Sequence, residues 1–236
     1  AALIGVWALV LSGRHTALPL QATSWLTFLA LLVTPGYLLG EMVTWRLRLD
    51  DIERLALAFP LSIVVLSVPG MMALLQHQTI VELADGWMIA STCVVTAWLV
   101  VAVIQRRPAA RAERWRGDQL LWLGLIAAGF LLVLPTLSLY KIDGDAYAVG
   151  SFTADALAGL PLNASEPLCG TDLGPGVRMA FNQSLPMAYL WSWFSGIDSI
   201  TLTATASRAM IALWSLLAAY TLGRAGGLSL PGGDNS

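Results

Sequence analysis

The sequence predicts an all-α, polytopic integral membrane protein. Of its 236 residues, 57% are hydrophobic and only 12% are charged, and the mean hydropathy is +0.70. A soluble domain has about 25% charged residues, so a soluble enzyme, a nucleic-acid-binding protein and a disordered chain are all excluded as classes. The apolar runs lack the alternation that strands of membrane β-barrels show, which leaves helices as the spanning elements.

Six apolar stretches are predicted to span the membrane, because a helix needs about 20 apolar residues to cross the hydrocarbon core. Pro35 is expected to kink the second stretch, and Pro60 and Pro69 are expected to bend the third. Asp50 and Asp51 precede the third stretch and can cap its first turn. The stretches cover approximately residues 1–12, 18–43, 52–75, 86–104, 119–139 and 200–222.

Arginine positions predict the orientation, since cytoplasmic loops are enriched in Lys and Arg. Five arginines lie in the 105–118 loop, and alternation of the spans then places nine basic residues inside against three outside. The prediction is a multi-pass protein of the bacterial cytoplasmic (inner) membrane with both termini inside. Its parts are a five-span bundle (1–140), an extracytoplasmic loop (141–199), a sixth transmembrane helix (200–223) and a cytoplasmic tail (224–236).

The extracytoplasmic loop is long, and long ordered loops often carry function. Apolar residues recur in it at three- and four-residue spacings, which predicts an amphipathic helix over 146–160 on the membrane surface. These residues are Val149, Phe152, Ala156, Leu157 and Leu160. Gly159 and Pro161 are expected to end this helix. The aromatic segment 187–194 is expected to form a second helix at the membrane interface.

Three short sequences follow the fifth stretch: Asp-Gly-Asp-Ala-Tyr at 143–147, Ala-Gly-Leu-Pro-Leu at 158–162 and Asn-Ala-Ser-Glu-Pro at 163–167. With the amphipathic helix, residues 141–186 resemble the first outer loop of the membrane-embedded C-type glycosyltransferases, which use polyprenyl-phosphate sugars. The resemblance implies that Asp143 or Asp145 is the catalytic carboxylate, as a base or as a metal ligand.

The chemistry of these two acids fits either role. A carboxylate at the membrane edge can take a proton from an acceptor hydroxyl, and two carboxylates two positions apart can share a divalent cation. The alternative interpretation of Asp143 and Asp145 is a polar turn that caps a helix. The family generally has many more spans, whereas only one predicted span follows the loop here.

Arg208 lies about eight residues into the sixth stretch, where a buried charge costs at least ~2.5 kcal/mol. It is expected to pair with an outer-loop acid, or to bind a lipid phosphate or headgroup. The nearest acids by depth are Asp143, Asp145 and Asp198.

Intrinsic cofactors are not expected. His15 and His77 lie in short connections, so a haem held by two histidines deep in the membrane is not predicted. The sequence has no iron–sulfur cysteine run and no Walker loop, and Cys93 and Cys169 are far apart. Bound lipid is therefore the expected non-protein component, and no nucleic acid is expected as a partner.

Two functions follow from these observations. The first is a non-catalytic accessory subunit of a larger bacterial membrane complex, in respiratory or photosynthetic electron transport, with membrane lipids and other membrane subunits as partners. The quinol-oxidising alternative complex III is a candidate host. The second is the N-terminal part of a glycosyltransferase that uses a polyprenyl-phosphate-linked sugar, in which case this chain alone should not transfer sugar.

Overall fold

The computed structural model describes residues 2–44, 49–104, 117–138, 144–162, 184–198, 201 and 207–225. Within these ranges the chain is helical and has no strand, which confirms the all-α prediction. A 3₁₀ turn (Arg14–Ala17) precedes α2, and a π-helical turn (Leu29–Val33) joins α2 to α3. The α-helices are α1 (Ala2–Leu11), α2 (Leu20–Phe28), α3 (Thr34–Val43), α4 (Asp51–Leu75), α5 (Ile80–Ile104), α6 (Gly117–Ser138), α7 (Gly144–Leu157), α8 (Ser184–Ser195) and α9 (Ser207–Ala225).

Three helical segments of the described chain are long and apolar enough to cross a membrane. They are Ala22–Val43, which combines most of α2 with the π turn and α3, then Asp51–Leu75 and Ile80–Ile104. Helix α1 and the Leu121–Leu131 part of α6 are apolar but shorter. Each of the six predicted stretches contains a helix, but the crossing of the membrane by all six stays a prediction.

The distortion expected at Pro35 takes the form of a π-helical turn just before the proline. Pro35 has no N–H to donate to the preceding turn. The Thr34 N–H donates to the Leu29 carbonyl five residues back, and the Thr34 hydroxyl donates to the same oxygen at 2.9 Å. The segment therefore continues through the proline with one widened turn.

Side-chain caps fix where α4 and α5 begin. The Asp50 carboxylate accepts the Glu53 N–H at 2.8 Å, and Glu53 accepts the Asp50 N–H at 2.8 Å, which is a complete capping box. Asp50 is thus the cap and Asp51 the first helical residue. Helix α5 begins at Ile80, six residues before the predicted start, because Glu82 accepts both the N–H and the hydroxyl of Thr79.

Helices α3 and α4 cross at Gly36 with almost no space between their backbones. A Cβ at Gly36 would meet the Ala58 carbonyl oxygen and the Ser62 nitrogen of α4. The Gly36 N–H donates to the Ser62 hydroxyl at 2.8 Å, a bond that crosses between helices. Gly40 lies one turn further on, and a Cβ there would be 3.3 Å from the end of the Leu61 side chain. This is the small-xxx-small spacing that lets membrane helices approach closely.

Helix α7 confirms that the long loop contains a helix, which covers 144–157 where 146–160 was predicted. Its position on the membrane surface stays a prediction. The helix ends at Leu157 and the chain turns at Gly159 (φ 86°), where the Gly159 N–H bonds the Ala156 carbonyl and the Leu160 N–H bonds the Asp155 carbonyl, a Schellman ending. Phe152 and Ala156, two residues of the predicted apolar face, are buried within the protein, but Leu160 is exposed. Leu160 leaves the helical face because it lies beyond the left-handed glycine.

Segment 187–194 lies in helix α8, as the sequence predicted, and its position at the membrane interface stays a prediction. The sequence did not predict that α8 contacts α2, α4, α5 and α7. Tyr189, Leu190 and Trp191 are each 1% exposed, whereas Trp193 is 42% exposed. The many apolar and aromatic residues of α8 favour this buried position.

Helices α6 and α9 form a pair beside α4. The Trp122 ring of α6 meets the Tyr220 ring of α9 at 5.4 Å, and the Trp214 ring of α9 meets the Phe59 ring of α4 at 5.1 Å. The main contacts of α6 are with α9, and those of α9 are with α4 and α6. Most of the described side chains on α6 therefore remain exposed, and they are apolar.

Candidate functional site

The three residues singled out in the sequence fall at or beyond the limits of the described chain. Asp143 lies outside the described residues. Asp145 is the second residue of α7 and Arg208 is the second residue of α9, and the structure describes neither side chain. Their proposed roles in catalysis, metal binding and lipid binding therefore stay predictions.

The structure gathers charged side chains at a different place, at one end of the helix bundle. Here the last turns of α3 and α9 meet the first turn of α4 and the C-terminal half of α5. We call this group the ionic cluster and this end of the bundle the ionic end. Its members are Glu41, Asp50, Asp51, Glu53, Arg54, Trp98, Tyr220 and Arg224.

One half of the ionic cluster joins α9 to α4. The Asp50 carboxylate accepts hydrogen bonds from the Tyr220 hydroxyl and from the Arg224 guanidinium. The Arg224 Nε lies 3.5 Å from the Glu53 Oε1, and its Nη1 lies 3.2 Å from the Tyr220 hydroxyl. Asp50 therefore caps α4 with one oxygen and binds α9 with the other.

The other half joins α3, α4 and α5. The Trp98 Nε1 of α5 donates to the Glu41 Oε2 of α3 at 2.7 Å. The Arg54 Nη1 lies 3.9 Å from Glu41 Oε1 and 4.0 Å from Asp51 Oδ1. No motif in the sequence links Glu41 to Trp98, which are 57 positions apart.

The half of the ionic cluster that joins α9 to α4 matters more for stability, because its carboxylates are more deeply buried. The Asp50 and Glu53 side chains are 7% and 10% exposed, whereas Arg224 is 45% exposed and Asp51 57%. A buried carboxylate is costly unless it is paired and hydrogen bonded, and both oxygens of Asp50 are bonded. Among the described residues no group of three or more His, Cys, Asp or Glu could hold a metal ion. The arrangement is suited to fixing four helices in register.

The opposite end of the bundle is held together by hydrogen bonds, and we call it the α8 end. The Nε2 of His15 lies 2.7 Å from the Phe194 carbonyl of α8, and Trp191 donates its Nε1 to the Ser24 carbonyl at 3.0 Å. The Leu162 N–H donates to the Gln78 carbonyl at 2.8 Å. His15 lies in a short connection as predicted, yet it is 1% exposed, a burial that its neighbours in sequence do not reveal.

Comparison with known proteins identifies no matching family model, no similar curated protein and no similar solved structure. The resemblance of residues 141–186 to the first outer loop of the C-type glycosyltransferases is therefore carried by the short sequences in that loop alone.

Proposed function

We propose that this chain is an accessory subunit embedded in the bacterial inner membrane, where it packs against lipids and against helices of partner subunits. The observation that carries the proposal is that the helices are connected to one another inside the bundle while their outward faces are mostly apolar. The ionic cluster and α8 connect the helices internally. The outward sides of α4, α5 and α6 are mostly apolar, with Val68 69%, Ile89 66% and Leu131 63% exposed.

The topology we propose has six spans, with both termini in the cytoplasm. What supports it is that residues 41, 50–54, 98 and 220–224 meet at the ionic end, as expected if every one of these regions lies on the same side. Reporter fusions in the 105–118 loop should report a cytoplasmic location, and fusions within 141–186 an external one. An external 105–118 loop would contradict the topology.

The subunit role is tested by purification from native membranes in a mild detergent. The chain is expected to migrate with other membrane subunits at fixed stoichiometry through two independent separations. Quinol-oxidising activity in the same fractions would identify alternative complex III, the candidate host. Migration of the chain alone from native membranes would overturn the accessory role.

One observation favours the glycosyltransferase as the second candidate. Helix α7 begins at Gly144, within the Asp-Gly-Asp sequence, and ends at Leu157, just before Ala-Gly-Leu-Pro-Leu. A helix therefore lies where the resemblance implies one. Under this alternative, the chain is the N-terminal part of an enzyme that uses a polyprenyl-phosphate-linked sugar.

We expect the 236-residue chain to show no sugar transfer, because catalysis needs donor and acceptor held together in a water-poor site. Proteoliposomes would be supplied with polyprenyl-phosphate sugars and Mg²⁺ or Mn²⁺. Asp143→Ala and Asp145→Ala should then leave no turnover to lose. Turnover by the unmodified chain that either substitution abolishes would make the glycosyltransferase the preferred function.

A further inference from the structure

Helix α5 has two sharply different faces. One face is buried against the bundle and includes Leu83, Trp87, Ser91 and Val95. The opposite face is exposed along the whole helix. We call it the α5 outer face, and it consists of Val81, Asp85, Ile89, Thr92, Thr96, Val100 and Val103, which repeat at three- and four-residue spacings.

Three residues of the α5 outer face are polar, which a surface facing only acyl chains does not require. The Asp85 carboxylate is exposed and has no hydrogen bond or ion pair to any residue in the described part of the chain. The hydroxyls of Thr92 and Thr96, seven and eleven positions further on, likewise lack a hydrogen bond there. Ionisable residues in spans usually pair with a partner, and hydroxyl residues mark helix–helix contacts.

The position of Asp85 sets the depth at which a partner group must lie. Asp85 is five residues after Ile80, or about 8 Å along the helix axis. A 25-residue helix is about 37 Å long, somewhat longer than the ~30 Å hydrocarbon core. Asp85 therefore falls near the hydrocarbon boundary at the α8 end, which is the outer side in the proposed topology.

We propose that the α5 outer face is the docking surface for a transmembrane helix of another subunit, one that carries Lys or Arg near its outer boundary. The inference rests on the proposed accessory role and specifies its interface. The cation of the partner pairs with Asp85, and its helix packs along Ile89, Thr92 and Thr96. We choose a partner helix with Lys or Arg because a positive charge complements the Asp85 carboxylate.

The same charge disfavours a second copy of this chain. Two copies inserted in the same orientation and related by a two-fold axis would use the same surface on each. Their Asp85 carboxylates would then meet at the same depth, and like charges across an interface are repulsive. Repulsion between the two Asp85 carboxylates would therefore destabilise a homodimer formed through the α5 outer face.

Photo-crosslinking in native membranes tests the proposal with the full chain. A benzophenone amino acid is placed at Ile89 or at Val100 on the α5 outer face, and at Val68 on the exposed face of α4 as the matched control. We expect Ile89 and Val100, but not Val68, to form adducts with one membrane protein. Peptide mapping should place the adduct on a transmembrane segment with Lys or Arg near its outer end.

Charge substitutions decide whether Asp85 directs this contact. Asp85→Lys should lower the adduct yield about tenfold, and Asp85→Asn should lower it less. Replacing the mapped basic residue of the partner by Glu should restore the yield with Asp85→Lys. An unchanged yield with Asp85→Lys would overturn the proposal. So would adducts that contain only lipid, a second copy of this chain, or residues 163–183 of the same chain.

The crosslinking results test the α5 interface and the accessory role separately. Adducts from Val68 alone would place the partner on α4, which overturns the α5 interface and leaves the accessory role standing. Absence of protein adducts at all three positions, together with migration of the chain alone after purification, would overturn both.

Discussion

Gly36→Val should destabilise the fold by more than about 4 kcal/mol, or prevent folding, because it inserts side-chain atoms where two backbones touch. The Cβ alone would overlap the Ala58 carbonyl oxygen and the Ser62 nitrogen. Backbone atoms inside a helix cannot move aside as the end of a flexible side chain can. Separating the helices would also break the Gly36 N–H bond to Ser62.

Gly40→Ala is the matched control for this crossing. Gly40 is on the same helix one turn later, and a Cβ there meets only the Leu61 Cδ1 at 3.3 Å. Leu61 can shift, and alanine favours the helix by up to about 1 kcal/mol, so Gly40→Ala should be near neutral. Thermal unfolding in detergent, monitored by size-exclusion chromatography, measures Gly36→Val, Gly36→Ala and Gly40→Ala, the last two of which add the same Cβ at each position. Equal stability of Gly36→Ala and Gly40→Ala would contradict the close crossing.

Ser62→Ala measures the contribution of the Gly36–Ser62 hydrogen bond without changing the close contact between the two helix backbones. It removes the acceptor of the Gly36 N–H and leaves space rather than a clash. We expect a loss of about 1–2 kcal/mol, the usual cost of leaving a buried donor unpaired. The effect of Gly36→Ala should exceed this loss, because overlap of backbone atoms adds to the broken bond.

Length, hydropathy and helix-capping residues, which can all be read from short stretches of sequence, predicted much of the helical architecture. Length and hydropathy located the helices of the long spans, and the Asp50 cap located the start of α4. The start of α5 was missed by six residues, although Thr79-x-x-Glu82 is a recognisable capping sequence. The error arose because the apolar run was taken to begin at Gly86, after the acids Glu82 and Asp85.

The packing of one helix against another depends on residues far apart in the chain, so short stretches of sequence did not predict it. Aromatic side chains suit both a membrane interface and a buried core, so composition did not reveal that α8 packs against α2, α4, α5 and α7. Asp50 and Arg224 are separated by 174 positions. Their pairing depends on how α9 packs on α4, and helical periodicity carries no information about that register.

Arg224→Gln should cost about 2–4 kcal/mol, because it leaves two largely buried carboxylates without their cation. Asp50 and Glu53 are 7% and 10% exposed, and Arg224 contacts both. The cost stays below that of a fully buried pair because Arg224 is 45% exposed, so water screens part of the interaction. Unfolding in detergent measures the loss, and limited proteolysis should show α9 released first.

A double-mutant cycle with Asp50→Asn separates the ion pair from the rest of the ionic cluster. If the unpaired charge causes the loss, Asp50→Asn should recover part of the stability of Arg224→Gln, since the amide needs no counterion. The matched control is Asp51→Asn, which removes a carboxylate 57% exposed and 4.0 Å from Arg54. It should change stability by less than about 0.5 kcal/mol. Additive effects of Asp50→Asn and Arg224→Gln would show that the pair does not hold α9 against α4.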